Sequence, residues 1–573
     1  MPTDCREKIL SDRYYDAITD FPVSLLEEDV IDQCYADVDG LYNIIYFDRE
    51  ELRNAQAYFS SYRSVPKLYG LMQQGGGAGA FDPNSLIASG IAQVQREPLA
   101  LTGTGVIICC IDTGIDYLDP VFRNEDGTSR ILAIWDQTIQ TGTPPAGFQY
   151  GTEYTREDIN RALQSEDPYS VVPSRDEIGH GSAMASVAAG SRLNGGYTFQ
   201  GAAPGADIVV VKLKECKPYL RGFYLVPQGV PAYQENDIML GVQYADGFAE
   251  PFYRPVVICL GLGTNSGDHA GNSPLGRYLN AIAVRRSRAV VVAGGNEGNA
   301  AHHFQGQLNN QGTAGDNIRA VEIRAEQGAE GFVMELWGSL PDIFTMAVRT
   351  PGGETIPPVR LGIRESVTYS FIYEKSRVTV TGFLVEPASG EEVVIMRVQD
   401  PTPGIWTFQV GAVGEIHNGE FNMWLPVKQF LSAPVYFLES SPYITLTEPA
   451  MASSVISVST YDAANGSFYI DSGRGFSRCG AIRPDFAAPG VDVSTVNGRG
   501  SDSSLAAALT AGAVAQFMQW AVVEQNNSVV ESREIKNYFI RGASRSFDVA
   551  YPNREWGYGR LNMAGTFDAL IGV

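Results

Sequence analysis

The 573-residue sequence lacks the features that mark several large classes of protein. It has only 42 lysines and arginines against 65 aspartates and glutamates, a formal net charge of −23. Such a surface repels nucleic-acid phosphates and anionic lipid heads, so we expect neither as a partner. The start, MPTDCREKILSDRYYDAI, has no basic-then-apolar secretory signal, and no segment has the apolar length of a membrane span. The sequence predicts a protein that stays inside a cell, or inside something that the cell builds.

Cysteine and histidine are also scarce, with seven and five residues. No Cys-x-x-Cys pair, no Cys/His cluster of zinc spacing and no EF-like acidic loop is present. Cys109 and Cys110 are adjacent in an apolar run and must point to opposite faces of one strand. We expect reduced, mostly buried thiols, no metal and no cofactor. His269, His302 and His303 have no ligand partners at metal spacing, so we interpret them as loop-packing residues.

The N-terminal 72 residues have the pattern of a small α+β unit. Leu41–Asp48 predicts a strand, and Arg49–Arg63 predicts a helix because it is rich in good helix formers. Val65–Met72 predicts an extended segment, since Pro66 cannot lie inside a helix. Residues 73–85 form a Gly-rich stretch that is typical of a flexible linker. A chain of this length exceeds one ordinary core, and two to four domains are expected.

The remaining chain has two patterns of apolar and polar residues. Residues 86–311 and 442–573 alternate helical patterns with short apolar runs, which indicates parallel strands buried on both faces. Four such runs are Val106–Asp112, Ala206–Leu213, Pro255–Gly261 and Ala289–Gly295. Residues 312–441 instead carry period-two segments separated by turn residues, typical of an all-β, jelly-roll-like sandwich. The predicted fold is α/β, a parallel sheet flanked by helices with an inserted β-sandwich.

Three local motifs carry residues of chemical interest. GTGVIICCIDTGIDYLDP places Asp112 at the end of a buried strand, where α/β folds bind ligands. DEIGHGSAMASVAAG places His180 between two glycines at the start of a helix of small residues. GSDSSLAAALTAGAVAQFMQW places Ser504 at the start of a long Ala-rich helix, where the helix dipole favours an alkoxide-like nucleophile. Alone, each residue could serve as a cap or a core side chain, but together they match the chain order Asp, His, Ser of subtilisin.

With these motifs the chain resembles the subtilase family of serine proteases over most of residues 86–573. VVVAGGNEGN resembles the strand that supplies the oxyanion-hole asparagine, here Asn296, and RPDFAAPGVDV resembles the turn before the serine. The resemblance implies peptide hydrolysis through an acyl-enzyme by Asp112, His180 and Ser504. It also implies that one wall of the substrate pocket is formed by Leu260, Gly261, Leu262 and Gly263.

The serine motif departs from the usual Gly-Thr-Ser-Met-Ala of the family. Asp502 replaces its glycine, Ala508 stands where the family has proline, and alignment on Ala511-Gly512 selects Ser504 over Ser503. Asp502 adds a negative charge near a developing oxyanion. The three catalytic residue types are nevertheless retained.

A narrower resemblance is to the clostridial Csp proteases. It is carried by PKLYGLM, SLIASGIAQVQ, GTNSGDHAG and GNEGNAAHH, by the missing proline and by the inserted sandwich. Those enzymes are spore-borne and activate a cortex-degrading hydrolase during germination, while some relatives have lost triad residues. The resemblance implies a prodomain over residues 1–72, cut between Met72 and Gly79 by the enzyme itself. The cleaved prodomain is expected to stay bound, with Leu68–Met72 in the cleft.

Three functions remain open from the sequence. The first is a self-processing, spore-packaged protease whose protein substrate is a cortex-hydrolase zymogen. The second is a catalytically silent binding module that senses a small molecule or scaffolds a partner. The third is a general intracellular protease of broad specificity.

Overall fold

In the computed structural model, the described part of the N-terminal region is a three-stranded antiparallel sheet, in the order β1-β3-β2, with one short helix. The structure describes residues 5–21, 34–51, 61–72, 77, 79–193, 198–249, 254–309, 317–360, 362 and 365–571. The first elements are α1 (Cys5–Leu10), β1 (Tyr14–Thr19), β2 (Tyr35–Val38), β3 (Tyr42–Asp48) and β4 (Leu68–Leu71). The strand predicted at Leu41–Asp48 and the extended segment at Val65–Met72 are confirmed. The helix predicted at Arg49–Arg63 falls mostly outside the described residues, which show only 3-10 turns at its ends.

The next region supplies most of a central parallel sheet. Its strands are β5 (Ile107–Asp112), β6 (Ile131–Asp136), β7 (Thr152–Thr155), β8 (Asp207–Lys212), β9 (Tyr233–Gln234), β10 (Val256–Leu260), β11 (Leu262–Gly263) and β12 (Arg288–Ala293). Its helices are α2 (Asn84–Ala88), α3 (Ile91–Val94), α4 (Arg156–Leu163), α5 (Pro168–Val171), α6 (His180–Ala189), α7 (Pro218–Tyr224), α8 (Glu235–Gly247) and α9 (Pro274–Ala283). The four predicted apolar runs are confirmed as β5, β8, β10 and β12, which pair in parallel as β12-β10-β5-β8.

An all-β region follows, as the alternating pattern predicts. Its strands are β13 (His303–Gln307), β14 (Ile318–Ala325), β15 (Gly331–Gly338), β16 (Phe344–Arg349), β17 (Thr355–Val359), β18 (Glu365–Ser370), β19 (Arg377–Phe383), β20 (Glu392–Gln399), β21 (Gly404–Ala412), β22 (Glu420–Trp424) and β23 (Val435–Phe437). They form a six-stranded sheet, β13-β22-β15-β20-β19-β18, and a five-stranded sheet, β17-β16-β21-β14-β23.

This β-sandwich is packed onto the central domain through strand β15. Phe332 and Leu336 belong to the core between the two sheets, whereas Val333 and Trp337 belong to the core beneath the central parallel sheet. Every residue of β15 is buried, because neighbours cover both of its faces.

The C-terminal region completes the central sheet and adds its longest helix. Its elements are β24 (Ile456–Tyr461), β25 (Phe486–Pro489), β26 (Val493–Thr495), β27 (Gly498–Gly500), α10 (Ser503–Met518), α11 (Ser532–Gly542) and α12 (Met563–Ile571). The central sheet has the order β25-β24-β12-β10-β5-β8-β6-β7, parallel except at β7. Together these elements confirm the predicted α/β class.

Helix α10 and the π-helical turn after it, Gln519–Val523, are mostly apolar. Among the described residues, Ser503–Val523 is the one helical stretch long and apolar enough to cross a membrane by length and composition. Within its most apolar window, 83% is buried inside the protein. A helix that is apolar all round packs in this way at the centre of a large core.

The thiols differ in part from expectation. Cys5 and Cys34 form a disulfide, with their Cα atoms 5.5 Å apart, so the expectation of reduced cysteines is wrong for this pair. The pair was missed because its spacing of 29 residues matches no local motif. Cys109 and Cys110 are free, buried and on opposite faces of β5, as predicted.

Candidate active site

Asp112 and His180 meet at the carboxyl edge of the central sheet. Asp112 is the last residue of β5, and His180 is the first residue of α6. His180 Nδ1 lies 2.7 Å from Asp112 Oδ1, and both side chains are buried. The backbone can approach this closely because Gly181 lies against Gly114: a Cβ at Gly181 would be 2.2 Å from the Gly114 carbonyl oxygen. The glycine beside the histidine therefore serves close packing, as the motif indicates.

Ser504 is the second residue of α10. Asp502, which replaces the usual glycine, caps this helix, since its carboxylate accepts a hydrogen bond from the Leu505 N–H at 2.8 Å. The Asp502 backbone is extended, with φ −167°, a conformation open to any residue. The substitution thus costs the local turn nothing.

The Ser504 hydroxyl faces the end of strand β4. Its Oγ donates to the Met72 carbonyl oxygen at 2.8 Å and lies 3.2 Å from the Gly261 carbonyl oxygen. Asn296 Nδ2 donates to the same Met72 oxygen at 2.9 Å, while Asn296 Oδ1 accepts from the Ser503 N–H. One peptide carbonyl is therefore held by a hydroxyl and an amide at once.

His180 lies beside this arrangement. A Cβ on Gly261 would come within 3.0 Å of His180 Cε1, so the imidazole packs against the residue whose carbonyl also contacts Ser504. His180 Nε2 has no hydrogen-bond partner among the described residues. The structure thus brings together all four residues singled out from the motifs.

Leu68–Leu71 lies as an added strand between two edges of the cleft. Its residues pair antiparallel with β11 on one side, Leu71 with Leu262 and Gly70 with Gly263, and with β9 on the other. The Met72 N–H donates to the Gly261 carbonyl at 2.9 Å. Main-chain pairing of this kind is how proteases and other clefts bind extended peptides.

The predicted pocket wall is only partly in contact with this strand. Gly261, Leu262 and Gly263 pair with residues 70–72, whereas Leu260 ends β10 and is buried in the core below. Thr447 was missed by sequence reasoning: its Oγ1 lies 4.0 Å from Met72 Sδ, and a Cβ at Gly263 would come within 3.2 Å of that sulfur. No local motif distinguishes Thr447, because it reaches the pocket from a distant part of the chain.

The charge around His180 favours its protonated form. Burial lowers the pKa of the imidazole, but the Asp112 carboxylate in contact with it and the charge of Asp502 raise it, and the net pKa lies above its ordinary value. Asp112 Oδ1 also accepts from the Thr113 N–H at 2.7 Å, which orients the carboxylate.

Three further histidines, His269, His302 and His303, form contacts with protein groups. His302 Nδ1 lies 2.6 Å from Glu297 Oε2, and His303 Nε2 lies 2.9 Å from Asn422 Oδ1. His269 lies between two backbone carbonyls and stacks on Trp424 at 4.1 Å. Burial lowers the pKa of His269 to about 4 and that of His303 to about 3. These contacts are those of packing residues.

The sequence matches the model of the subtilase family, Peptidase S8, over residues 103–323 and 440–559. These ranges cover more than half of the chain and include the three motifs. The chain therefore belongs to the subtilase family, and it is a subtilisin-like serine endopeptidase.

Solved structures of other proteases are similar to this chain. The CspB protease of Clostridium perfringens is 28% identical, with a TM-score of 0.74 over 86% of this chain and 100% of that one. The epidermin leader peptide processing serine protease of Staphylococcus aureus is 11% identical, with a TM-score of 0.41 over 97% and 98%. A comparison with curated proteins gave no match. The resemblance to Csp proteases is confirmed.

Proposed function

We propose that this protein is a self-processing endopeptidase in which Asp112, His180, Ser504 and Asn296 perform the reaction. The observation that carries the proposal is the Met72 carbonyl oxygen, held 2.8 Å from Ser504 Oγ and 2.9 Å from Asn296 Nδ2. A carbonyl in that position is poised for attack by the serine, with its developing negative charge directed at an amide donor. The same contact favours a working protease over a silent binding module.

The reaction follows from these positions. His180 Nε2 removes the proton from Ser504 Oγ as that oxygen attacks the carbonyl carbon, and Asp112 holds the imidazole in the correct tautomer. Asn296 Nδ2 and the Ser504 N–H stabilise the oxyanion. In subtilisin, removal of one such donor lowers the catalytic rate by about 10²–10³-fold. The tetrahedral intermediate collapses as His180 gives its proton to the leaving amine, and water then hydrolyses the acyl-enzyme by the same steps.

The first substrate in this proposal is the chain itself. Because Met72 presents its carbonyl to Ser504, the scissile bond is Met72–Gln73, at the start of the range expected from the sequence. Residues 1–72 are then a prodomain, 73–85 a linker, 86–311 and 442–573 the catalytic domain, and 312–441 an inserted domain. The released prodomain stays bound through the pairing of β4 with β9 and β11.

The second substrate is another protein. The likeness to CspB supports a role in spores, in which a cortex-hydrolase zymogen is cut at one site. The cleft is occupied by Leu68–Met72, which pairs with β9 on one side and β11 on the other. Only an extended, well-matched segment can replace this strand, which favours a narrow range of substrates over broad specificity.

Self-processing is tested by mass spectrometry of the purified chain and two serine variants. The wild-type protein should yield fragments that end at Met72 and begin at Gln73, while Ser504→Ala stays intact because triad members act as a unit. Ser503→Ala is the matched control: it removes only an acceptor for the Gly295 N–H, and processing should persist.

Two results would contradict this assignment. An identical N-terminus in the wild type and Ser504→Ala would exclude self-processing. Processing in Ser504→Ala together with an intact Ser503→Ala chain would move the nucleophile to Ser503.

A further inference from the structure

The inserted sandwich extends one short 3-10 turn, Lys428–Phe430, to the substrate cleft. The residues flanking its centre are anchored in the catalytic domain: Val427 and Phe430 belong to the core that also contains α10. The Lys428 N–H donates to Glu297 Oε1 at 3.1 Å, and Glu297 directly follows Asn296 in the chain. The turn is therefore held in a fixed position relative to the proposed oxyanion hole.

Gln429, at the centre of this turn, touches the strand in the cleft. Its Nε2 donates to the Leu71 carbonyl oxygen at 2.9 Å. The same side chain covers Gly70: a Cβ added there would lie 2.5 Å from Gln429 Nε2, 3.1 Å from its Cδ and 3.2 Å from its Cγ. A side chain at position 70 therefore requires the end of the Gln429 side chain, which donates to Leu71, to move.

The conformation of Gly70 itself does not demand glycine. Its φ lies outside the left-handed region, and it pairs with Gly263 as an ordinary strand residue. The three atoms nearest to an added Cβ all belong to Gln429. The closest contacts at this position thus come from a residue of the inserted sandwich.

We propose that Gln429 is a specificity-determining residue, through which the inserted sandwich selects protein segments with glycine as the third residue before the cut. The inference rests on the proposed cleavage of the Met72–Gln73 bond, which makes Gly70 that third residue. Substrates of this class combine glycine at the covered position with a free carbonyl on the next residue, where Gln429 donates. The sandwich then takes part in recognition as well as in packing.

Binding of the strand Leu68–Leu71 in the cleft can be tested without catalysis. The measurement is amide hydrogen exchange in a chain that carries Ser504→Ala. Gly70→Ala should raise the exchange rates of the amides of residues 69–72 by about tenfold, the scale of one lost hydrogen bond with crowding. Gln429→Ala should raise these exchange rates less. The double variant, Gly70→Ala with Gln429→Ala, should have the same exchange rates as Gln429→Ala alone. Gly77→Ala, at a position with open space, and Lys428→Ala are the matched controls.

The same variants with Ser504 intact give a second readout, the rate of self-processing. Gly70→Ala should slow it by about tenfold, and Gln429→Ala should rescue that loss. The proposal is overturned if Gly70→Ala exchanges like its parent, or if the double variant keeps the full effect of Gly70→Ala. If the unsubstituted chain is never processed, the proposed function fails, and the exchange rates still decide the role of Gln429.

Discussion

At the scale of single residues, Asp502 is the most informative departure from the subtilase pattern. Its carboxylate caps α10 directly before Ser504, and its negative charge helps to raise the pKa of His180. His180 can accept the serine proton only when it is neutral. A raised pKa therefore moves the acid limb of activity towards higher pH, so that the enzyme loses activity sooner on acidification.

Replacing Asp502 by asparagine should reverse this effect. Asn keeps the oxygen that accepts from the Leu505 N–H but removes the charge, so the pKa of His180 falls. We expect the acid limb of the self-processing rate to move to lower pH, with the rate at high pH nearly unchanged.

The measurement is a pH series of processing rates for the wild type and two variants. Asp492→Asn serves as the control, since Asp492 is exposed and pairs with Arg499. An acid limb that stays in place or moves to higher pH in Asp502→Asn would show that the charge of Asp502 does not raise the pKa of His180.

At the scale of elements, strand β1 is joined to the catalytic domain by a buried polar cluster. Asp16 accepts from Lys217 Nζ at 2.5 Å, from Gln234 Nε2 at 2.6 Å and from Asn236 Nδ2 at 3.3 Å. Lys217 also donates to the Lys8 and Tyr14 carbonyls. Because Asp16 and Lys217 are almost fully buried, neither can exchange its partner for water without separation of the two regions.

Asp16→Asn should therefore weaken retention of the N-terminal fragment after processing. Removing one partner of a buried ion pair costs about 3–5 kcal/mol. Size-exclusion chromatography of processed wild-type protein should show the fragment co-eluting with the catalytic domain, and that of Asp16→Asn should show it released.

The matched control is Arg13→Ala, which breaks a pair with Asp48 inside the same fragment. Arg13 is 58% exposed, and surface pairs of this kind contribute little. Equal retention in the wild type and Asp16→Asn would mean that the pair of Asp16 with Lys217 is not needed to hold the fragment.

At the scale of the whole molecule, three regions of the chain converge on one cleft. The N-terminal region supplies the bound strand, the α/β region supplies Asp112, His180, Asn296 and Ser504, and the sandwich supplies Gln429. The formal charge of −23 gives the whole chain an excess of negative charge, which attracts basic segments of a partner at low ionic strength. Both features favour a dedicated processing enzyme.

The cleft as a whole predicts a narrow range of substrates. Incubated with a cortex-hydrolase zymogen and with unfolded casein, the enzyme should cut the zymogen at one site and leave most casein intact. Ser504→Ala incubations are the control in both arms. Rapid degradation of casein with no cleavage of the zymogen would favour a general intracellular protease. It would contradict the proposed role in germination.

Much of the fold and of the candidate site followed from local sequence. The strands β5, β8, β10 and β12 were predictable because a strand buried on both faces must be a continuous apolar run. Asp112, His180, Asn296 and Ser504 could be selected as candidates because each stands in a short motif, whose glycines and small residues serve packing next to the candidate site.

Contacts between distant parts of the chain were decided only by the tertiary structure. Met72 and Ser504 are 432 residues apart, and Gln429 and Leu71 are 358 apart, so no local pattern links them. The disulfide of Cys5 with Cys34 likewise follows from the proximity of α1 to the start of β2. Local sequence determines which segments become strands and helices and which side chains they present. Which of those side chains meet depends on how separate layers pack, and that is a property of the folded chain alone.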